Sequence, residues 1–286
     1  MNSKKRLITF GIAVLIAAGV LLYKFPHVGY LLKEYFGWGT ERVALTQVLP
    51  ENTAQVPLSE LKTDDRVRFD QSMMLINTRY PLSGTFLPRL ATYRDTQLQI
   101  NAAAVYAYTE LANAVKAQTK SDLLITSAYR TWQEQEAEYQ ADAAVATKPG
   151  ASEHQAGLAL DICVRYYGGM GFVKTKAGQF VNSNCWRYGF IIRYPVFGKQ
   201  ETGIGYEPWH IRYVGLPHAN IIYNNRLTLE EYIDSLAYGV WYQADGYLIA
   251  RQKLSPDNTL CIVDGGADIV ISPDNMGGYI VTVKLA

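Results

Sequence analysis

Pro149-Gly150-Ala151-Ser152-Glu153-His154-Gln155-Ala156-Gly157-Leu158-Ala159-Leu160-Asp161 sets an imidazole and a carboxylate on either side of a glycine. Residues 158–164 are almost wholly apolar except for Asp161, the pattern of a strand buried on both faces. A carboxylate in such a strand needs a cation or a dense hydrogen-bond shell. His154 and Asp161 are an odd number of positions apart, so one unbroken strand would point them to opposite faces. Gly157 permits a turn that swings His154 back over the strand.

Further along, Glu207-Pro208-Trp209-His210-Ile211-Arg212-Tyr213 brings a second imidazole and a second carboxylate. Pro208 cannot donate to a ladder and steers Glu207 away from helical geometry. Glu207 is therefore expected on a loop shoulder, with His210 opening an apolar strand over residues 209–214. The chain has only four histidines, and these two are the ones with carboxylate company. A lone buried Asp is more often a structural acceptor, and a lone His before Gly is usually a loop residue. Ser-x-His-x6-Asp followed by Glu-x-x-His is hard to explain as packing. It is the kit of a hydrolytic zinc site, with three N/O ligands, an open position and a separate base, and it points to a metal-dependent peptidase.

These motifs resemble those of the VanY-like D-alanyl-D-alanine carboxypeptidases, zinc enzymes of the lysostaphin/D-Ala-D-Ala peptidase/hedgehog fold group. The resemblance rests on Ser127-Ala128-Tyr129-Arg130, on Ser152 through Asp161 and on Glu207 through Tyr213, with a weaker echo in Met74-Leu75-Ile76-Asn77 and Phe86-Leu87-Pro88. It implies zinc (Zn2+) held by His154, Asp161 and His210, with Glu207 as general base. It implies a peptidoglycan stem peptide as substrate, cut to release its terminal D-alanine. Arg130 would grip the terminal carboxylate with two parallel bonds and help stabilise the oxyanion. Ser127 and Tyr129 of the same motif, Gln135 and Ser152 would be further substrate contacts. Ala128 and Thr131 depart from the residues more usual around the Ser-x-Tyr-Arg motif. An L,D-carboxypeptidase or a peptidoglycan endopeptidase of the same fold is the nearer alternative. A non-catalytic wall binder is the more distant one, and Glu207 argues against it, because a structural zinc site needs no base.

A length of 286 residues suits one large or two small domains, and 49% hydrophobic residues supply a real core. A net charge of +1 points to no polyanionic partner, and no basic cluster with interleaved aromatics suggests nucleic acid. Three cysteines outside the cell leave one unpaired. Cys163, two past Asp161, is either an extra ligand or, more commonly at such a position, a small core residue; nothing in the spacing demands its pairing with Cys185. His27 and His218 receive no role.

Lys4-Lys5-Arg6 precedes an uncharged apolar run of 17 residues, 7–23, at the short end of what spans a bilayer. The basic flank favours a cytoplasmic N-terminus, which puts the catalytic part outside a cell membrane crossed once. A cleaved signal peptide competes, but Ala17-Ala18-Gly19 lies inside the run, so a retained transmembrane helix over residues 1–25 is favoured. Residues 26–69, punctuated by Pro26, Gly29, Gly37, Gly39, Pro50 and Pro57, read as a tether. A catalytic domain over 70–226 follows, then a short helix and small β-appendage over 227–286.

Within the catalytic domain, helices are expected at 101–118, 132–144 and 178–188, and strands at 123–127, 158–164 and 209–214. Their irregular alternation favours an α+β fold with an antiparallel core over a doubly wound sheet. In the tail, Thr228-Leu229-Glu230-Glu231 has the look of a capping box. Asp245-Gly246 signals a hairpin, and Asp264-Gly265-Gly266 separates two apolar runs. The job of the appendage (wall-binding module, lid or plain extension) stays open at this point.

Overall fold

The computed structural model describes residues 19–20, 23–143, 146–263 and 268–285. In chain order its strands are β1 (Thr46–Val48), β2 (Thr53–Pro57), β3 (Val67–Phe69), β4 (Leu90–Thr92), β5 (Gln99–Asn101), β6 (Leu124–Ser127) and β7 (Ala159–Cys163). Then follow β8 (Phe190–Ile192), β9 (His210–Tyr213), β10 (Trp241–Ala244), β11 (Tyr247–Gln252), β12 (Thr259–Val263), β13 (Ile269–Pro273) and β14 (Tyr279–Lys284). The fold is mixed α+β, and its central sheet, ordered β6-β7-β9-β8, is antiparallel throughout.

Helix Val105–Thr119 covers one face of that sheet. Tyr108, Leu111, Ala112 and Val115, spaced as one helical stripe, are all buried. They belong to the same core as Leu160 and Ile162 of β7, Phe190 of β8 and Ile211 of β9. Each large side chain buried this way contributes about 1.5–3 kcal/mol. A 3-10 turn, Ala102–Ala104, precedes the helix, and Asn101, the expected start, instead ends β5 and caps that turn, its side chain accepting from the Ala103 N–H. Helix Trp132–Ala141 opens on a capping box between Thr131 and Glu134, which satisfies backbone N–H groups at its start. The stretch expected as one helix over 178–188 is helix Lys176–Asn184 followed by a 3-10 turn, Cys185–Tyr188, which ends at Gly189 in the left-handed conformation.

The tether reading of 26–69 is corrected. Helix Pro26–Phe36 begins that stretch, and the Tyr30 and Glu34 side chains lie 3.2 Å from Ser183 Oγ. Strands β1 and β3 belong to a six-stranded sheet ordered β1-β10-β11-β14-β13-β3, and β2 pairs with β12. The tail sheet is thus completed by chain from the other end. Strands this short cannot display an alternating pattern, and their backbone partners lie far away in sequence, so punctuation by Pro and Gly was all that local reading could register.

In the tail, helix Leu229–Ser235 carries the expected capping box, but its reciprocal glutamate is Glu231 alone. Asp245 and Gly246 both adopt positive φ and join β10 to β11 in a two-residue hairpin. Asp264-Gly265-Gly266 lies outside the described residues, and the strands flanking it are not each other's partners. β12 pairs with β2, whereas β13 sits between β14 and β3. The expected transmembrane helix falls on residues 1–25, of which 1–18 and 21–22 lie outside the described residues. Among the described residues no helix is long and apolar enough to cross a membrane.

Candidate metal centre

The site is built on β7 and β9. Ahead of β7, a 3-10 turn, Glu153–Ala156, ends at Gly157 with φ +65°. A Cβ there would stand 2.8 Å from Asn101 N and 2.7 Å from Leu90 Cδ2, so both conformation and space require glycine. The turn folds His154 back over the strand and resolves the odd spacing to Asp161. Register does the rest: Asp161 lies directly opposite His210 across the β7–β9 ladder. Glu207 precedes β9 on a loop, its N–H donating to the Tyr194 carbonyl at 3.0 Å.

Donor atoms of His154, Asp161 and His210 all lie within 4.8 Å of one another. His154 Nε2 is 3.4 Å from Asp161 Oδ2, and His210 Nδ1 is 3.0 Å from Asp161 Oδ1. The Ala128 carbonyl, 2.7 Å from His154 Nδ1, can only accept, so Nδ1 carries the proton and Nε2 keeps its lone pair toward the cluster. His154 Nε2 and Asp161 Oδ1 are buried without a hydrogen-bond partner among the described residues. The 3.0 Å approach of His210 to Asp161 therefore lacks hydrogen-bond geometry. Two imidazole nitrogens and one carboxylate, left over in a buried place, suit a divalent zinc ion. Cys163 is not part of this cluster.

Burial opposes charge on Asp161, yet His154 and His210 outweigh it and hold the carboxyl far below the usual range. At His210, burial disfavours the imidazolium, but Asp161 and Glu153 prevail and lift its pKa to about 9. His154 is pushed down by burial, which Asp161 only partly offsets. Glu207, with Oε2 3.7 Å from His210 Nδ1, is raised by burial against the opposing pull of His210. A carboxylate with a raised pKa beside a metal site is suited to accept a proton.

Arg130, Gln135 and Ser152 line the same cleft, together with Glu138, Tyr194 and Trp209. Arg130 Nη1 donates to Gln135 Oε1 at 3.0 Å, and Gln135 Nε2 to the Thr147 carbonyl at 2.8 Å. Ser127 and Tyr129 are not among the residues lining it. Ser127 pairs directly with Asp161 across the β6–β7 ladder, after a register shift that follows Ile125.

Sequence reasoning missed the charged layer behind His210. Glu153 Oε1 accepts from Arg193 Nε at 2.7 Å and from Arg212 Nη1 at 2.6 Å, and Arg193 also grips Glu230 through two bonds. Burial raises the Glu153 pKa, but the two guanidinium groups overcome it and hold the carboxyl far down. A signal was present: Arg212 interrupts an apolar strand just as Asp161 does, and a buried charge needs a partner.

A family model described as VanY, D-alanyl-D-alanine carboxypeptidase, matches residues 97–216. A D-alanyl-D-alanine carboxypeptidase of Enterococcus faecium is 32% identical over 254 residues, covering 82% of this chain and 80% of that protein. The chain belongs to the VanY family of D-alanyl-D-alanine carboxypeptidases. The VanY match encloses His154, Asp161, Glu207, His210 and Arg130. Among solved structures, the vancomycin resistance D,D-dipeptidase VanXYg, in complex with a D-Ala-D-Ala phosphinate analog, has the same fold. It is 24% identical with a TM-score of 0.63, covering 82% of this VanY-family chain and 98% of its own. The LD-carboxypeptidase LdcB is 32% identical, with a TM-score of 0.54 over 61% of this chain and 93% of its own.

Proposed function

We propose that this chain is a zinc-dependent carboxypeptidase that removes the terminal D-alanine from peptidoglycan stem peptides. The convergence of His154, Asp161 and His210 within 4.8 Å, with Glu207 at their edge, carries the reading. His154 Nε2, an Asp161 oxygen and His210 Nδ1 would hold the ion. When bound, zinc supplies a Lewis acid that polarises the scissile carbonyl and acidifies water.

Glu207 takes a proton from the attacking water as its oxygen bonds to the carbonyl carbon. The same carboxyl returns that proton to the nitrogen as the C–N bond breaks, so D-alanine leaves with a neutral amine before it is protonated in solvent. Arg130, steadied through Nη1 by Gln135, turns its remaining N–H groups to the substrate's terminal carboxylate. The same guanidinium, with Nη2 3.9 Å from Asp161 Oδ2, would help stabilise negative charge developing on the reacting carbonyl. Ser152 offers a hydroxyl from the cleft wall. An anchor in residues 1–25 would keep this cleft outside the membrane, where peptidoglycan lies.

Defined tetra- and pentapeptide stems, incubated with the chain with and without chelator, test the proposal. Chelator-sensitive release of D-alanine from the pentapeptide is the expected result. Cleavage of the tetrapeptide alone would select the L,D specificity instead, and no cleavage of either would sink the catalytic reading.

A further inference from the structure

Behind His210 lies a buried cluster of charge that no proton-transfer step uses. Glu153 is 2% exposed, Arg193 1% and Arg212 0%. One Glu153 oxygen, Oε1, is taken up by both guanidinium groups. The other, Oε2, has no hydrogen-bond partner among the described residues and faces His210 Nε2 at 3.9 Å. His210 Nε2 is likewise buried and, among the described residues, without a hydrogen-bond partner. One atom is an anionic acceptor, and the other is a nitrogen able to donate. The opposite nitrogen of the same ring, Nδ1, is the one beside Asp161.

An imidazole that binds a metal through Nδ1 must carry its proton on Nε2, and an anionic acceptor at Nε2 favours that tautomer. We propose that Glu153 is a positioning residue that holds His210 as its Nε2–H tautomer, with the Nδ1 lone pair turned toward Asp161 and His154. The proposal rests on the zinc reading above. Arg193 and Arg212 aim the carboxylate. Arg193 is held in turn by Glu230 of helix Leu229–Ser235, and Arg212 by the carbonyls of Ser72 and Met74 at 2.8 Å. The orientation of one metal ligand is thereby fixed by chain on both sides of the catalytic sheet. An amide at position 153 would leave its oxygen to the two guanidinium groups and set an N–H donor against Nε2. Donor against donor favours the tautomer that hides Nδ1.

The test uses the full chain and Glu153→Gln, with Glu230→Gln as a variant that loosens the same cluster without facing His210. By chelator competition E153Q should bind zinc about 10- to 100-fold more weakly, and E230Q should stay near wild type. In the zinc-loaded wild type, the His210 Nε2–H should give a downfield, slowly exchanging proton resonance, which E153Q loses. The chain has four histidines, so this signal is separable. Unchanged affinity in E153Q overturns the proposal. So does weakened affinity with the resonance unmoved, or an equal loss in E230Q, since either assigns Glu153 a purely structural role. Should E153Q not fold, the wild-type resonance decides: a fast-exchanging proton at an ordinary imidazole shift overturns it. A wild-type chain that takes up no zinc defeats the zinc reading itself, a separate outcome.

Discussion

The four-stranded sheet and the six-stranded sheet treat buried polarity in opposite ways. Around β7 and β9, Arg130 Nε, Glu153 Oε2, His154 Nε2, Asp161 Oδ1 and His210 Nε2 are buried without hydrogen-bond partners among the described residues. In the other sheet the charged pair is saturated. Asp274 Oδ2 accepts from Arg251 Nε at 2.8 Å and Tyr238 OH at 3.1 Å, and Oδ1 from the N–H groups of Met276 and Gly278. His218 uses both ring nitrogens, at 2.7 Å from Tyr232 OH and 2.9 Å from Thr282 Oγ1. An unmade buried hydrogen bond costs about 1–3 kcal/mol, so a fold tolerates a concentration of them only where a ligand completes them. One sheet holds binding capacity in reserve, and the other spends its polar groups on cohesion.

Glu207→Gln should draw that line most sharply. Turnover is expected to fall about 10²- to 10⁴-fold while zinc affinity stays near wild type, because Glu207 moves a proton and is not among the ligands. Measured D-alanine release together with zinc content decides it; parallel loss of both would make Glu207 a ligand rather than a base. Asp274→Ala should do the converse. Stranding buried Arg251 should cost about 3–5 kcal/mol in denaturant unfolding, with kcat preserved in whatever remains folded. A drop in kcat of the folded fraction would erase the contrast between the two sheets.

Arg130→Lys keeps the charge but loses the fork that meets a carboxylate through two bonds. It should weaken pentapeptide recognition by about 1.5–3 kcal/mol, read chiefly as a higher KM. An unchanged KM would remove Arg130 from the carboxylate pocket. The gentlest probe is pH. Burial drops the His218 pKa from 6.5 to about 3. Between those values the unfolded chain binds a proton that the folded chain refuses, so stability is full above pH 6.5 and declines as pH falls toward 3. The slope attributable to this group approaches about 1.4 kcal/mol per pH unit. His218→Gln should flatten that part of the unfolding profile, and a profile identical to wild type would refute the buried-neutral assignment.

Legibility followed the range of the interaction. Helix Val105–Thr119, strands β6, β7 and β9, and the capping box at Thr228 all declare themselves within a dozen residues, through spacing of apolar positions or a local cap. The meeting of His154, Asp161 and His210 was legible too, because an isolated charge in an apolar strand is conspicuous wherever it finds its partner. A motif names residues such as Ser127 and Tyr129 but does not say which of them line the cleft. Strands β1, β2 and β3 stayed hidden because their partners, β10, β12 and β13, lie at the other end of the chain.

By itself the sequence determined which residues are too polar for their apolar surroundings, and hence that an imidazole–carboxylate–imidazole set with a neighbouring base must be satisfied by something outside the chain. Only the tertiary structure decided that Asp161 and His210 stand across from each other, that Glu153 turns its free oxygen to the back of His210, and that the chain before and after the catalytic sheet forms one sheet. The physical reason is that side-chain chemistry is written residue by residue. Register and long-range pairing are settled instead by backbone hydrogen bonds, whose partners carry no local mark in the sequence.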